Sequence, residues 1–189
     1  MTRPLRIGFW NINGYRSSIL GNKLRTDDFM DVINKHDIFA IVETHATHDA
    51  KLSIRNFKHF IKYECRDKSG KRAFGGLSVY INRKLSEGVS YVPTENKNSI
   101  WCKLDRTYFN LQNDIFIGTV YLSPSNFERS NSVDLIGELE LELVEMLLFS
   151  QKGDVVVQSD FNARTGDIQE TISDDDNAGF PKCPRRLRS

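Results

Sequence analysis

Side chains able to bind a metal ion and a phosphate follow several apolar runs of this chain. The last run, Val155-Val156-Val157, leads into Asp160 and Asn162, a carboxylate and a carboxamide. Earlier runs lead into Asn11, Glu43 and Tyr121. Two carboxylates brought together without compensation repel each other, and a divalent cation removes that cost. Because Mg²⁺ takes oxygen ligands and needs only one or two carboxylates, this set favours metal-assisted attack of water on a phosphodiester.

Short runs rich in β-branched and aromatic residues predict the strands that place these side chains. They span residues 5–10, 38–42, 115–120 and 155–157, with two more at 74–81 and 100–104. The three consecutive valines predict a strand buried on both faces. Period-two alternation places Asn11 on the side of Ile7 and Phe9. The same alternation places Glu43 on the side of Phe39 and Ile41.

Two stretches between these strands have helical spacing. The first, Asp27 to Lys35, carries acidic residues in its first turn. The second, Ser132 to Gln151, has a leucine stripe that we expect to face the core, opposite Glu138, Glu142 and Glu145. Helices that alternate with strands in this way predict a layered α/β or α+β fold.

Composition limits the class of protein. The chain has 189 residues, with 26 basic and 25 acidic side chains, so net charge alone favours neither nucleic acid nor membrane as a partner. Cys65, Cys102 and Cys183 form no zinc-binding pair, which favours a reduced compartment. We find no apolar stretch long enough to span a bilayer, and predict an intracellular protein that does not enter the membrane. We predict one domain over residues 1–172 and an irregular tail over 173–189.

Five segments, in order, resemble the endonuclease/exonuclease/phosphatase superfamily, and within it most closely the endonuclease domain of non-LTR retrotransposons. They are Phe9-Trp10-Asn11-Ile12-Asn13-Gly14, Val42-Glu43-Thr44-His45, Gly75-Gly76-Leu77-Ser78-Val79-Tyr80, Val120-Tyr121-Leu122-Ser123-Pro124 and Ser159-Asp160-Phe161-Asn162-Ala163-Arg164. The resemblance implies a two-sheet α/β sandwich with the active site at one end of the sheets. It also implies a Mg²⁺- or Mn²⁺-dependent endonuclease that nicks DNA, and therefore acts in the nucleus.

The resemblance also implies roles for individual residues. Glu43 binds the metal with Asn11 beside it, and Asp160 orients the attacking water. Asn162 and Tyr121 contact the scissile phosphate. His45 and Arg164 are expected to contact the substrate, and a structural role for His45 is an equal alternative.

Two departures from the family pattern bear on activity. The usual glycine before the aspartate is Ser159 here, which we expect the turn to tolerate. After Asn162 there is no histidine and no Ser-Asp-His motif, so the sequence predicts a domain without its closing strands. A catalytically inactive fragment is therefore one alternative. A phosphatase of the same superfamily is another.

Overall fold

The computed structural model describes residues 4–48, 50–63, 75–122 and 135–162. Within these ranges the strands are β1 (Ile7–Asn11), β2 (Arg16–Ser17), β3 (Gly21–Asn22), β4 (Ile38–Val42), β5 (Phe57–Lys62), β6 (Leu77–Asn82), β7 (Val89–Val92), β8 (Ser99–Leu104), β9 (Ile115–Tyr121) and β10 (Asp154–Asp160). The helices are α1 (Asp27–Ile33), α2 (Arg106–Phe109) and α3 (Leu135–Ser150), with 3-10 turns at Lys23–Arg25 and Arg83–Leu85.

Two four-stranded sheets and one hairpin contain these strands. The first sheet has the order β1-β4-β6-β5, the second has the order β10-β9-β8-β7, and β2 pairs with β3. β1 runs parallel to β4, and β10 runs parallel to β9, whereas the other neighbours are antiparallel. The parallel pairs bring the carboxyl ends of β1 and β4, and of β9 and β10, to common edges.

The sheets pack face to face with a helix on each outer side. The core between them contains alternate residues of both sheets, such as Ala40, Val79, Cys102 and Ile117. A second cluster packs α1 against the outside of the first sheet, through Phe29 and Phe39 among others. A third packs α3 against the second sheet through Phe149, Trp101 and Phe116. The predicted two-sheet α/β sandwich is confirmed.

Helix α1 begins at a cap that its sequence supplies. Thr26 accepts a hydrogen bond from the backbone N–H of Phe29, and Asp27 and Asp28 lie in the positive first turn. The helix ends at Ile33, two residues earlier than predicted. It packs Phe29 and Ile33, both buried, against the sheet.

The predicted orientation of α3 is wrong. Glu142 is completely buried, whereas Leu139, Leu143 and Leu147 are 39%, 48% and 64% exposed. The second sheet presents donors to the acidic face: the Trp101 indole N–H and the Ser99 hydroxyl both donate to Glu145 Oε2. Asn96 Nδ2 donates to Glu142 Oε1 at 2.6 Å. These hydrogen bonds turn Glu142 and Glu145 inward, to the face that also carries Phe149, and leave the three leucines outward. The first residues predicted for this helix, 132–134, lie outside the described ranges.

The prediction that the valine strand is buried on both faces is also wrong. In the described part of the chain, β10 pairs only with β9, and Val156 is 43% exposed. Val155 and Val157 pack towards α3, so alternation turns Val156, Gln158 and Asp160 to the other side. Among the described residues, β10 is the edge strand of the second sheet, and only its face towards α3 is packed. The strand is regular through Ser159, which pairs with Val120.

The predicted tail, residues 173–189, lies outside the described ranges, as do Cys65 and Cys183. Cys102 is buried, and burial raises the pKa of its thiol to about 12, which leaves it inert. No helix in the described part is long and apolar enough to cross a membrane.

Candidate active site

Asn11 and Asp160 join the two sheets at their common end. Asn11 is the last residue of β1 and Asp160 the last of β10. Asn11 Nδ2 donates to Asp160 Oδ2 at 2.7 Å. The Asn11 carboxamide oxygen accepts from the backbone N–H of Asn13 at 3.0 Å. Both ends of the asparagine amide are therefore fixed, and this orientation aims its N–H₂ at the aspartate.

Glu43 and Tyr121 form a second contact between the sheets. The Tyr121 hydroxyl donates to Glu43 Oε1 at 2.7 Å. Tyr121 is a member of the cluster between the sheets, whereas Phe39 and Ile41 belong to the outer cluster with α1. The predicted side for Glu43 is therefore wrong. The residue has φ of +52°, which ends the strand alternation and brings its carboxylate to the tyrosine.

Asn162 closes the turn after β10. Its backbone N–H donates to Asp160 Oδ1 at 3.0 Å, and its side-chain Nδ2 donates to the carbonyl of Leu122 at 2.8 Å. Its φ of +47° is one that asparagine tolerates better than most residues. Asp160 thus accepts a hydrogen bond at each carboxylate oxygen, one from Asn11 and one from Asn162.

His45 lies beneath the loop that follows β1. It is half-buried, and a Cβ placed on Gly14 would lie 3.1 Å from its Nδ1. The backbone N–H of His45 donates to Gly75 O at 2.8 Å. This position is compatible with the structural alternative. Arg164, the other predicted substrate contact, lies outside the described residues.

Left-handed backbone conformations concentrate around this site. Of the ten residues with positive φ in the described ranges, seven lie in its loops: Asn13, Gly14, Glu43, His45, Gly75, Gly76 and Asn162. Glu43 and His45 are the strained positions. Unlike glycine and asparagine, such residues adopt this region only at a cost in folding free energy on the order of 1–3 kcal/mol. Their loop is held by backbone bonds from Thr44 N to Gly76 O and from His45 N to Gly75 O.

Gly75 and Gly76, directly before β6, have a role at the site that the sequence did not predict. Gly76 has φ of +82°, and a Cβ there would lie 2.5 Å from Thr44 Oγ1. Glycine lets the backbone approach the strand end that carries Glu43. The signal that could have revealed this role is the Gly-Gly dipeptide directly before an apolar run.

The donor set fits a hard divalent cation. Glu43 and Asn11 offer oxygen atoms, and the described residues contain no cluster of three His, Cys, Asp or Glu side chains. A cage with many protein ligands is thus absent from the described part of the chain. Mg²⁺ retains several waters and is commonly held by one or two carboxylates together with a substrate phosphate, so this sparse oxygen set suits it.

Comparison with known proteins agrees with this geometry. The model of the endonuclease/exonuclease/phosphatase family matches residues 8–179, and the chain belongs to that family. No curated protein sequence matches it significantly.

Solved structures share the fold. The Xenopus laevis APE2 catalytic domain is 14% identical with a TM-score of 0.58, over 84% of this chain and 59% of that one. An AP endonuclease from Archaeoglobus fulgidus is 18% identical, with a TM-score of 0.53, over 85% and 58%. ANGEL2, a 2',3'-cyclic phosphatase, is 12% identical, with a TM-score of 0.51, over 86% and 54%. The chain therefore spans little more than half the length of these structures.

Proposed function

We propose that this chain is a Mg²⁺-dependent phosphodiesterase that nicks DNA, of the type found in non-LTR retrotransposons. The observation that carries the proposal is the pairing of Asn11 with Asp160 and of Tyr121 with Glu43 across the same end of the two sheets. Two carboxylates, one from each sheet, are thus positioned by neutral partners. Metal-assisted hydrolysis of a phosphodiester can use this combination, because it must hold a cation and a water molecule close together.

Glu43 and Asn11 would hold the metal. When bound, the cation supplies a positive charge that stabilises the charge developing on the phosphoryl oxygens. Asp160 orients the attacking water and accepts its proton as the water oxygen bonds to phosphorus; the P–O bond to the leaving alkoxide breaks, and that oxygen takes a proton from solvent. Two hydrogen bonds fix the direction of the Asp160 lone pairs. Asn162 and Tyr121 are the expected contacts to the phosphate oxygens, and the Tyr121 hydroxyl would turn to the phosphate from Glu43 Oε1, to which it donates here.

DNA is the substrate that the family segments favour. The sequences Glu43-Thr44-His45 and Asp160-Phe161-Asn162-Ala163-Arg164 resemble the retrotransposon group. Two of the solved structures with the same fold are named as an AP endonuclease and as APE2. A nuclear location follows from this substrate and stays a prediction.

The test is nicking of supercoiled plasmid by the full chain with and without Mg²⁺. Glu43→Gln and Asp160→Asn should each reduce the rate by 10²-fold or more, because each removes a charge needed in the transition state. Asp154→Asn is the matched control: it neutralises an exposed carboxylate at the opposite end of β10 and should leave the rate unchanged. Nicking that persists in both site variants would contradict the proposal.

A catalytically inactive chain is the second candidate, favoured by the absence of any histidine after Asn162. Losing a group that stabilises charge in the transition state typically lowers the rate by 10²–10³-fold. Robust Mg²⁺-dependent turnover by the 189-residue chain would eliminate this candidate.

A phosphatase is the third candidate, since one structure of the same fold is named as a cyclic phosphatase. Faster hydrolysis of soluble phosphoesters than of plasmid DNA would favour it.

A further inference from the structure

The hairpin β2–β3 presents two large apolar side chains to solvent. Ile19 is 89% exposed and Leu20 is 60% exposed, and they are adjacent at the tip of the hairpin. A single exposed leucine on a protein surface needs no explanation. The pair stands at the tip of a turn, and Ile19 is more exposed than any other large apolar side chain in the described residues.

The tip is held in one conformation by local hydrogen bonds. Ser17 Oγ accepts from the backbone N–H of Ile19 and from that of Leu20, both at 3.2 Å. Gly21 supplies the positive φ, +65°, that lets the chain return. Ile19 and Leu20 therefore project from a formed turn.

The base of the hairpin is tied to the candidate active site. Gly14 N donates to Glu43 O at 2.6 Å, and Tyr15 N donates to Thr44 O at 2.9 Å. Lys23 Nζ donates to the carbonyl of Ile12 at 2.6 Å. The hairpin thus begins next to Asn11 and is bonded to the backbone of the glutamate. A DNA strand bound at Asn11 would therefore pass the base of the hairpin.

The charge of this segment fits a polyanion. Residues 12–26 contain Arg16, Lys23 and Arg25 and no acidic residue; the first aspartate is Asp27. The Arg16 guanidinium lies 5.3 Å from the centre of the Tyr15 ring, which places it at the hairpin base. Cations of this kind neutralise backbone phosphates without reading sequence.

We propose that Ile19 and Leu20 form a wedge that enters a groove of duplex DNA and unstacks a base step beside the scissile phosphate. Apolar wedges of Ile or Leu kink DNA in this way, and flanking cations hold the backbone on either side. The kink opens the strand towards Glu43 and Asp160. The inference rests on the proposed DNA-nicking function and adds to it how duplex DNA is held.

The experiment compares Ile19→Ser/Leu20→Ser with Leu147→Ser/Leu148→Ser, a matched pair of exposed apolar residues on α3, 64% and 50% exposed. Binding is measured in the Glu43→Gln background with Ca²⁺, on a duplex carrying 2-aminopurine, and nicking is measured in the otherwise unaltered chain with Mg²⁺. The hairpin variant should bind duplex roughly tenfold more weakly, which corresponds to about 1.4 kcal/mol. It should also lose the fluorescence increase that reports unstacking, while single-stranded DNA, already unstacked, is bound as before.

Equal behaviour of the two double variants on duplex DNA would overturn the wedge. So would a loss confined to binding of anionic phospholipid vesicles, which would identify the tip as a lipid contact. If the unaltered chain nicks plasmid and the hairpin variant nicks equally well, the wedge alone fails. If the unaltered chain neither nicks nor binds DNA, the proposed function fails with it.

Discussion

The 2.7 Å hydrogen bond from Asn11 Nδ2 to Asp160 Oδ2 joins two strand ends that lie 149 residues apart in the chain. It is a bond between a neutral donor and a carboxylate, and it crosses from the first sheet to the second. A second bond, from the Tyr121 hydroxyl to Glu43, crosses the same gap. The two bonds together fix the spacing of the two carboxylates.

Replacing Asn11 by Asp should abolish nicking more completely than replacing it by Ala. The aspartate would put a second carboxylate within hydrogen-bond distance of Asp160, and their repulsion would raise the pKa of one of them. We expect a loss of at least 10²-fold at neutral pH for Asn11→Asp, with partial recovery as pH rises. Rates for both variants between pH 6 and 9 check this. A rate for Asn11→Asp equal to that of the unaltered chain would contradict the assigned contact.

Tyr121→Phe should lower the nicking rate, whereas Tyr80→Phe should lower the stability of the fold. Tyr121→Phe removes the donor to Glu43 at the site, and we expect a 10- to 10²-fold slower rate with little change in stability. Tyr80 is fully buried, and its hydroxyl donates to Leu52 O at 2.8 Å. Its loss leaves a buried carbonyl without its donor, at a cost of about 1–3 kcal/mol, and the rate should be unchanged.

Nicking rates and urea denaturation of the two tyrosine variants separate these effects. The same profile in both variants would show that the Tyr121 hydroxyl has only a structural role.

Gly76→Ala should destabilise the protein more than Gly21→Ala. Both glycines have positive φ, but a Cβ at Gly76 meets Thr44 Oγ1 at 2.5 Å, and one at Gly21 has nothing within 4 Å. Gly21→Ala should therefore cost about 1 kcal/mol, from backbone strain alone. Gly76→Ala should cost about 1–3 kcal/mol more, because the strand end must move. Urea denaturation measures both, and equal midpoints would show that the contact with Thr44 relaxes freely.

Glu142→Gln should stabilise the protein above pH 7. Burial is the main cause that raises the pKa of Glu142 from 4.5 to about 7, and the nearby Glu145 adds to it. Ser99, Lys62 and Asn96 act in the opposite direction. The folded protein therefore binds a proton that the unfolded chain releases, so stability falls as pH rises from about 4.5 to 7. Glutamine keeps an oxygen for Asn96 and has no charge to bury.

Urea denaturation between pH 4.5 and 8.5 checks this effect, whose size should be on the order of 1–2 kcal/mol at pH 8. Glu140→Gln is the control, because Glu140 is exposed on the same helix. A pH dependence of Glu142→Gln that matches that of the unaltered chain would show that Glu142 does not titrate in this range.

Local patterns predicted the strands and the residues at their ends well. Ile38–Val42 forms β4 within the predicted bounds, and the run from Ile115 extends by one residue to Tyr121. Strands with fewer apolar residues were not predicted: β5 contains two lysines and a histidine, and β7 has two exposed residues among four. Such strands depend on the neighbours with which they pair, and a local pattern does not contain that information.

The sequence by itself determined which side chains stand at the ends of the strands, because period-two alternation and apolar runs are local properties. The tertiary structure decided which of these side chains meet. Glu43 reaches Tyr121 only because its backbone takes a left-handed turn, and Gly76 bonds to the loop in that conformation. It also decided which face of α3 is buried. Leucines and glutamates alternate in the first half of that helix, and donors on Asn96, Ser99 and Trp101 turn Glu142 and Glu145 to the buried face.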